Sequence, residues 1–135
     1  MASKYILGGY ELAVRRSRTG RGLFTLESIP KARCVAEYTG RVISPREEYT
    51  SRSKYLFEVT KKITIDGNIQ GNLARYINHS CKPNCEIEIY RGHVYVMSKR
   101  PIKPEEELTY DYDTEYFNTH IRPKGCKCEA CLKKK

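Results

Sequence analysis

Apolar and polar residues alternate over short stretches of this chain, which predicts many short strands and few, short helices. The clearest case is the pair of segments Glu86–Tyr90 and His93–Met97, which flank the dipeptide Arg91-Gly92. Alternation on both sides of a two-residue turn predicts a β-hairpin. The alternating apolar residues of this hairpin are Ile87, Ile89, Val94 and Val96.

Several other segments have the short apolar pattern of strands. The last of them, Leu108–Tyr110, would place Leu108, Tyr110 and Tyr112 on one face if the strand continues. Turn-rich chain at 18–22 is expected to follow the first strand. The remaining predicted strands are Glu11–Arg15, Cys34–Thr39, Arg41–Ile43 and Lys54–Val59.

A helix start is predicted at Ser44-Pro45-Arg46-Glu47. Ser44 suits the N-cap, proline suits the first helical position, and Glu47 completes a capping box. The helix must be short, because a strand-like segment follows it closely. The fold class indicated is therefore mainly β with short helices.

The composition changes at about Asp113, which divides the chain into residues 1–113 and a tail, 114–135. The tail has little apolar content with which to fold unaided, and small segments of this kind commonly need a metal. Three cysteines lie in it as Cys-x-Cys-x-x-Cys, and Cys126 and Cys128 are too close in sequence for an unstrained disulfide. The pattern favours a zinc site over disulfides or free thiols.

Zinc prefers four ligands, and the tail supplies Cys126, Cys128 and Cys131. From spacing alone the fourth ligand is either His120 or Cys81. Cys34 and Cys85 have no indicated chemical role, so buried apolar packing is expected for both.

Charge adds a weaker indication. The 135 residues include 25 Lys+Arg and 16 Asp+Glu, a formal net charge of +9, which favours acidic partners or a nucleic-acid-associated setting. A solvated basic surface is the alternative. No apolar stretch approaches the roughly 20 residues of a membrane span, and no signal-peptide layout is present. We expect a soluble protein of a reducing compartment, without a membrane partner.

Two further motifs are ambiguous by themselves. Gly20 and Gly22 in RSRTGRGLF allow either a tight turn or close approach of the backbone to a ligand. The tyrosines of EEELTYDYD, residues 105–113, suit either core packing or hydrogen bonding to an amine.

Taken together, these segments resemble the SET-domain family of protein lysine methyltransferases. The resemblance covers nearly the whole chain, in the family's order: TGRGLF, EYTGRVI, YLF, ITIDGNIQGNLARYINHSCKPNC, EELTYDY and a cysteine-rich segment. It implies a β-clip-like fold of small sheets, a C-terminal pseudoknot, and a zinc-stabilised post-SET segment at 114–135 after a SET domain at 1–113.

The resemblance also implies S-adenosylmethionine as methyl donor and a structural zinc ion. Cys81 would then be the fourth zinc ligand, although the family commonly spaces its last two cysteines four residues apart and this chain spaces them two apart. The implied zinc ligands are Cys81, Cys126, Cys128 and Cys131. The implied cofactor contacts are Gly20, Arg21, Gly22, Tyr55, Asn78, His79 and Leu132.

Three tyrosines carry the implied chemistry. Tyr112 matches the catalytic tyrosine, and Tyr38 matches a tyrosine near the lysine channel. Tyr110 occupies a position where tyrosine, rather than phenylalanine, restricts the family's products to mono- and dimethyl-lysine.

The implied substrate is a lysine-bearing protein, with a histone tail favoured, so that a nuclear, chromatin-associated location is expected. Nucleic acid would be contacted indirectly or through surface charge. A non-histone lysine, including a host protein's if the source is microbial or viral, is an alternative. A non-catalytic, zinc-stabilised module that binds histone tails or nucleic acid is another.

Overall fold

The structure is a computed structural model that describes residues 5–17, 20–53, 55–60 and 62–111. Within these ranges it contains four small β-sheets, one α-helix and one 3₁₀ helix, which confirms the predicted fold class. The strands are β1 (Leu12–Ser17), β2 (Gly20–Thr25), β3 (Cys34–Tyr38), β4 (Arg41–Ile43), β5 (Leu56–Glu58), β6 (Thr64–Asp66), β7 (Asn78–His79), β8 (Cys85–Tyr90), β9 (His93–Ser98) and β10 (Thr109–Tyr110). The helices are α1 (Pro45–Thr50) and the 3₁₀ helix Leu73–Tyr76.

The central sheet contains the predicted hairpin. Its strand order is β3-β9-β8, and all pairs are antiparallel. Arg91 and Gly92 have φ angles of 51° and 79°, as a type I′ turn requires. Val94 and Val96 of β9 are fully buried. The hairpin prediction is therefore confirmed.

A second hairpin, β1–β2, was only half predicted. The turn expected over 18–22 is wrong at its second half, because Gly20–Gly22 already belong to β2 and pair with β1. Leu23 and Thr25 further along β2 are fully buried. Burial of these two side chains sets the position of β2 against β1. The antiparallel pairing of the two strands then continues as far as Ser17 and Gly20.

The third sheet has the order β4-β6-β5, and side chains of α1 bond to Arg41 of β4 and Thr64 of β6. The predicted capping box is present: the Glu47 backbone N–H donates to Ser44 Oγ (3.2 Å), and the Ser44 N–H donates to Glu47 Oε1 (3.4 Å). The helix ends at Thr50 after six residues, which confirms the prediction that it is short. In the described ranges, no helix has the length and apolar character needed to cross a bilayer.

The hydrophobic core joins the central sheet to β2, β6 and the 3₁₀ helix. Cys34 and Cys85 are both buried, as expected for cysteines that pack as small apolar groups. The buried apolar residues of this core are Leu23, Ile29, Val35, Ala36, Tyr38, Ile65, Ala74, Ile77, Cys85, Val94, Val96, Ile102 and Leu108.

Candidate functional site

The parallel pair β7–β10 brings two distant motifs together. Asn78 lies opposite Thr109, and His79 lies opposite Tyr110. The Ser80 N–H extends the pairing by donating to the Tyr110 carbonyl at 3.1 Å. Residues 78–80 of the NHSC segment and residues 109–110 of the ELTYDY segment lie about thirty residues apart in the sequence. They thus form one small platform.

The Asn84 side chain ties the chain after the NHSC segment to β10 and the residues before it. Its Oδ1 accepts from the Thr109 N–H at 2.9 Å, and its Nδ2 donates to the Glu107 carbonyl at 2.7 Å. The side chain is buried, so these bonds are shielded from competing water. Sequence reasoning did not single out Asn84. Its position in the SCKPNC segment, just before a strand, was the available signal.

The Asn78 side chain joins three segments. Its Nδ2 lies 3.1 Å from Ser17 Oγ, 3.0 Å from the Arg21 carbonyl and 2.8 Å from Glu107 Oε2. The amide therefore ties the glycine-containing β1–β2 hairpin to the chain leading into β10. Three of the predicted cofactor contacts, Arg21, Gly22 and Asn78, belong to this junction.

Gly22 lets the Glu107 side chain approach the hairpin closely at this junction. A Cβ added there would lie 2.3 Å from Glu107 Oε2 and 3.1 Å from Ser17 Cβ, so any side chain would displace the carboxylate that Asn78 contacts. Gly20 is required by conformation instead, because its φ is 118° and L residues rarely adopt that angle.

His79 is buried at the edge of the same platform. Its Nδ1 lies 3.5 Å from Asp111 Oδ1, and its Nε2 lies 3.4 Å from Cys81 Sγ. Burial lowers the pKa of the imidazole below its usual value, and the Asp111 carboxylate opposes that effect only in part. His79 is therefore held neutral near pH 7.

Tyr38, at the end of β3, and Tyr55, just before β5, contact one another directly. The Tyr38 hydroxyl donates to the Tyr55 carbonyl at 2.7 Å, and its ring lies 5.3 Å from the Phe57 ring. Tyr38 is buried, so it fixes the path of the chain that presents Tyr55. The Tyr38–Tyr55 bond brings two of the predicted site residues into direct contact.

Comparison with known proteins identifies the family. The family described as "SET domain" matches residues 20–113, which is more than half of the chain. The chain belongs to the SET domain family. The matched region contains all the described site residues named above except Ser17.

Three curated relatives of this SET domain are each named a histone-lysine N-methyltransferase. The chain is 36% identical over 126 residues to "Histone-lysine N-methyltransferase trithorax" of Drosophila virilis, covering 84% of this chain and 3% of that protein. It is 37% identical over 123 residues to "Histone-lysine N-methyltransferase SETD1" of Drosophila melanogaster, covering 82% and 7%. It is 34% identical over 131 residues to "Histone-lysine N-methyltransferase ASHR3" of Arabidopsis thaliana, covering 87% and 26%. The chain thus spans a small part of these relatives.

Arg75 is a site residue that sequence reasoning missed. Its guanidinium lies 5.6 Å from the centre of the Tyr55 ring and 4.9 Å from that of Tyr76. Its Nη atoms donate to Asn68 Oδ1 (3.0 Å) and the Tyr76 hydroxyl (2.9 Å). The Nε is buried without a hydrogen-bond partner among the described residues. Its place within the RYINHSC segment, three residues before Asn78, was the available signal.

Several predicted site residues lie outside the described residues. Of the four predicted zinc ligands, Cys81 lies in the described part of the chain and is exposed. No group of three metal-ligating side chains occurs within the described ranges. The predicted pseudoknot also requires chain beyond Asp111. The residues outside are Tyr112, His120, Cys126, Cys128, Cys131 and Leu132.

Proposed function

We propose that this SET domain is an S-adenosylmethionine-dependent protein-lysine N-methyltransferase that mono- and dimethylates histone tails. The observation that carries the proposal is the Asn78 junction, where the glycine hairpin, the NHSC segment and the start of ELTYDY meet. Each of the three relatives described above is named a histone-lysine N-methyltransferase, which supports the same activity.

The residues present suit the cofactor. The Nε of Arg75, beside Tyr55, has no acceptor among the described residues, and an anionic group such as the amino-acid carboxylate of S-adenosylmethionine would supply one. Gly20 exposes backbone on the hairpin, and a neutral His79 adds no positive charge beside a sulfonium. The bound cofactor would supply a methyl group already activated for transfer. Leu132 would complete the cofactor contacts from the tail.

The protein's part in the chemistry would be positioning. The substrate lysine must be neutral to attack, whereas its usual pKa is about 10.4, and a narrow, desolvated channel disfavours the ammonium form. Tyr112 would hold the amine in line with the methyl group by hydrogen bonding. Tyr38 would border the channel, and Tyr110, half-buried on β10, would restrict the room for added methyl groups.

A structural zinc ion is the second part of the proposal. Of the three described cysteines, Cys34 and Cys85 are buried, and Cys81 is exposed at the end of the NHSC segment. An accessible thiol suits a metal ligand, and Cys126, Cys128 and Cys131 would complete four thiolates. The ion would order residues 114–135 against the domain at 1–113. Activity on histones would place the protein at chromatin in the nucleus.

The test is incubation of the protein with methyl-labelled S-adenosylmethionine and intact core histones, with the Tyr112→Phe variant alongside. We expect label on one histone with the parent protein and loss of most of that label with the variant. Cofactor binding, measured by calorimetry, should be nearly equal in the two proteins, because Tyr112 acts on the amine.

Other results would point elsewhere. Cofactor binding without labelled histone would indicate a non-histone lysine as substrate. No cofactor binding by the parent protein would favour a non-catalytic module that binds histone tails or nucleic acid. Full activity in a folded Tyr112→Phe variant would remove the proposed role of that phenol.

A further inference from the structure

Three consecutive glutamates lead into β10, and the last of them differs from the other two. Glu107 forms no ion pair with any described residue, although its side chain is half-buried. Within the described ranges its carboxylate has one hydrogen bond, from the Asn78 side chain. A half-buried carboxylate without a balancing cation is unfavourable for folding, which points to a functional task. The ion pairs of its two predecessors are Glu105 with Arg15 and Glu106 with Arg100.

The position of the Glu107 carboxylate is fixed by the surrounding fold. The Leu108 N–H donates to the Leu23 carbonyl of β2 at 2.8 Å, and both leucines are fully buried. The carboxylate lies in the space that a Cβ on Gly22 would occupy. The carboxylate is therefore held beside the Asn78 amide by backbone pairing and by the absence of a side chain on the hairpin.

The contact with Glu107 determines which way the Asn78 amide points. Glu107 Oε2 lies 2.8 Å from Asn78 Nδ2 and the Arg21 carbonyl oxygen lies 3.0 Å from it, and both oxygens only accept hydrogen bonds. The Ser17 hydroxyl, 3.1 Å away, can donate as well as accept and so does not select the nitrogen. A hydrogen bond to a carboxylate is stronger than one to a carbonyl. Glu107 is therefore the main cause of this orientation.

The amide oxygen of Asn78 is left as a free acceptor. Its Oδ1 receives no hydrogen bond from any described residue. A free acceptor beside a carboxylate without a cation suits a positively charged donor. In S-adenosylmethionine the α-ammonium group has both a positive charge and N–H donors, whereas the sulfonium has no N–H.

We propose that Glu107 is a positioning residue, which holds the Asn78 amide so that Oδ1 accepts from the ammonium group of the methyl donor. Glu107 acts through Asn78 and does not touch the donor. Arg75 would receive the carboxylate of the same amino-acid group, so the two ends of that group are told apart. This inference rests on the proposed function, because it concerns the same cofactor site.

The experiment compares two substitutions that separate reach from charge. Glu107→Asp keeps the charge but shortens the side chain by about 1.5 Å, so that the carboxylate no longer reaches Asn78. Glu107→Gln keeps the length and an acceptor oxygen but removes the charge. A role in positioning requires the Asp variant to be the more impaired, whereas a role of charge alone requires the opposite.

Calorimetry with the full chain measures the binding of two ligands. S-Adenosylhomocysteine keeps the ammonium group, and its desamino analogue has hydrogen in that place. For Glu107→Asp we expect about tenfold weaker binding of S-adenosylhomocysteine, the loss typical of a hydrogen bond to a charged group. Its binding of the desamino analogue should stay within about twofold of the parent, because the group that Oδ1 contacts is missing. Glu107→Gln should bind S-adenosylhomocysteine within about threefold of the parent.

Two further proteins complete the design. In an Asn78→Ala background, Glu107→Asp should change the binding of S-adenosylhomocysteine by less than about twofold, since no amide is left to orient. Glu86→Asp, at an exposed position of β8, is the control and should bind both ligands like the parent. Thermal unfolding of each variant verifies that it is folded.

Several results would overturn the inference while leaving the proposed function intact. Equal weakening of both ligands in Glu107→Asp would show a merely structural role, and unchanged binding would show no role. Weaker binding by Glu107→Gln than by Glu107→Asp would mean that charge, and not the orientation of the amide, matters. Failure of the parent protein to bind S-adenosylhomocysteine would contradict the proposed function, and this inference with it.

Discussion

At the scale of single residues, the described cysteines differ in their exposure to solvent, which the sequence alone does not show. Cys81 is exposed, whereas Cys34 and Cys85 are buried. Burial raises the pKa of Cys85 to about 12, because a thiolate in the core would lose its hydration. The packing role expected for Cys34 and Cys85 agrees with this chemistry, since neither is accessible enough to bind metal.

The raised pKa of Cys85 predicts a loss of stability in alkali. Below about pH 8.5 the thiol is protonated in both the folded and the unfolded chain. Between there and pH 12 the unfolded chain releases the proton first, so the free energy of unfolding falls by up to about 1.4 kcal/mol per pH unit. Urea unfolding at pH 7 and pH 10 measures this fall.

The matched variant for this experiment is Cys85→Ala, which removes the titrating group. Its stability at pH 7 will be lower, but its further fall between pH 7 and pH 10 should be about 1.5–2 kcal/mol smaller than that of the parent. An equal fall in the two proteins would show that Cys85 does not couple folding to pH.

Tyr110 is the residue expected to limit the number of methyl groups added. Tyr110→Phe keeps the ring on β10 and removes the hydroxyl, which enlarges the space near the amine. We expect dimethyl- and trimethyl-lysine to increase at the expense of monomethyl-lysine, measured by mass spectrometry of the histone product. Tyr49→Phe, at a residue 91% exposed, is the control and should leave the distribution unchanged. Abundant trimethyl-lysine from the parent protein would contradict the role of Tyr110.

At the scale of elements, the sequence predicted the helices and strands whose formation depends on neighbouring residues. The β8–β9 hairpin has its alternation and its Arg91-Gly92 turn within twelve residues, and α1 has its capping box within four. By contrast, β7 has two residues and exists because β10 lies beside it. No local pattern can predict such a strand, and the resemblance to a family was needed to link the NHSC and ELTYDY segments.

Gly40 lies against the backbone of β6, next to the β4–β6 pair. A Cβ there would lie 2.1 Å from the Asp66 carbonyl oxygen, and this contact is with backbone that cannot rotate away. We expect Gly40→Ala to lower the free energy of unfolding by about 2 kcal/mol or more in urea titrations.

Gly71 provides the control for Gly40. No atom lies within 4 Å of its added Cβ, and its φ is not positive. Gly71→Ala should therefore be neutral or stabilising by up to about 1 kcal/mol. Similar losses in both variants would mean that backbone freedom, and not the contact with Asp66, sets the cost.

At the scale of the whole molecule, the sequence predicted the mainly β class, and the family match confirms the SET domain assignment. The positions of Arg75 and Asn84 in their motifs were only weak signals, because the importance of each residue lies in its surroundings. Aromatic rings surround Arg75, and the backbone of β10 lies beside Asn84. The spacing of residues within one segment does not predict which distant segments contact one another.

At the scale of the whole molecule we predict that the chain binds one structural zinc ion. The purified chain should contain one zinc ion, measured by inductively coupled plasma mass spectrometry, and a strong chelator should lower the thermal midpoint along with activity. Cys81→Ser should lose most of the metal because it removes one of four ligands. Cys85→Ala, which removes a buried thiol, should retain it. Full zinc content in Cys81→Ser would assign the fourth ligand elsewhere, with His120 the first to examine.

The parallel pairing of β7 with β10 has a consequence for how the protein is made. Chain synthesis delivers the central sheet, through β9, before the partner of β7 exists. Non-local pairings of this kind form slowly, because a long loop must close first. A ribosome that stops early would release a chain able to build most of its core and unable to build the Asn78 junction. Formation of the Asn78 junction would then indicate that synthesis had passed β10.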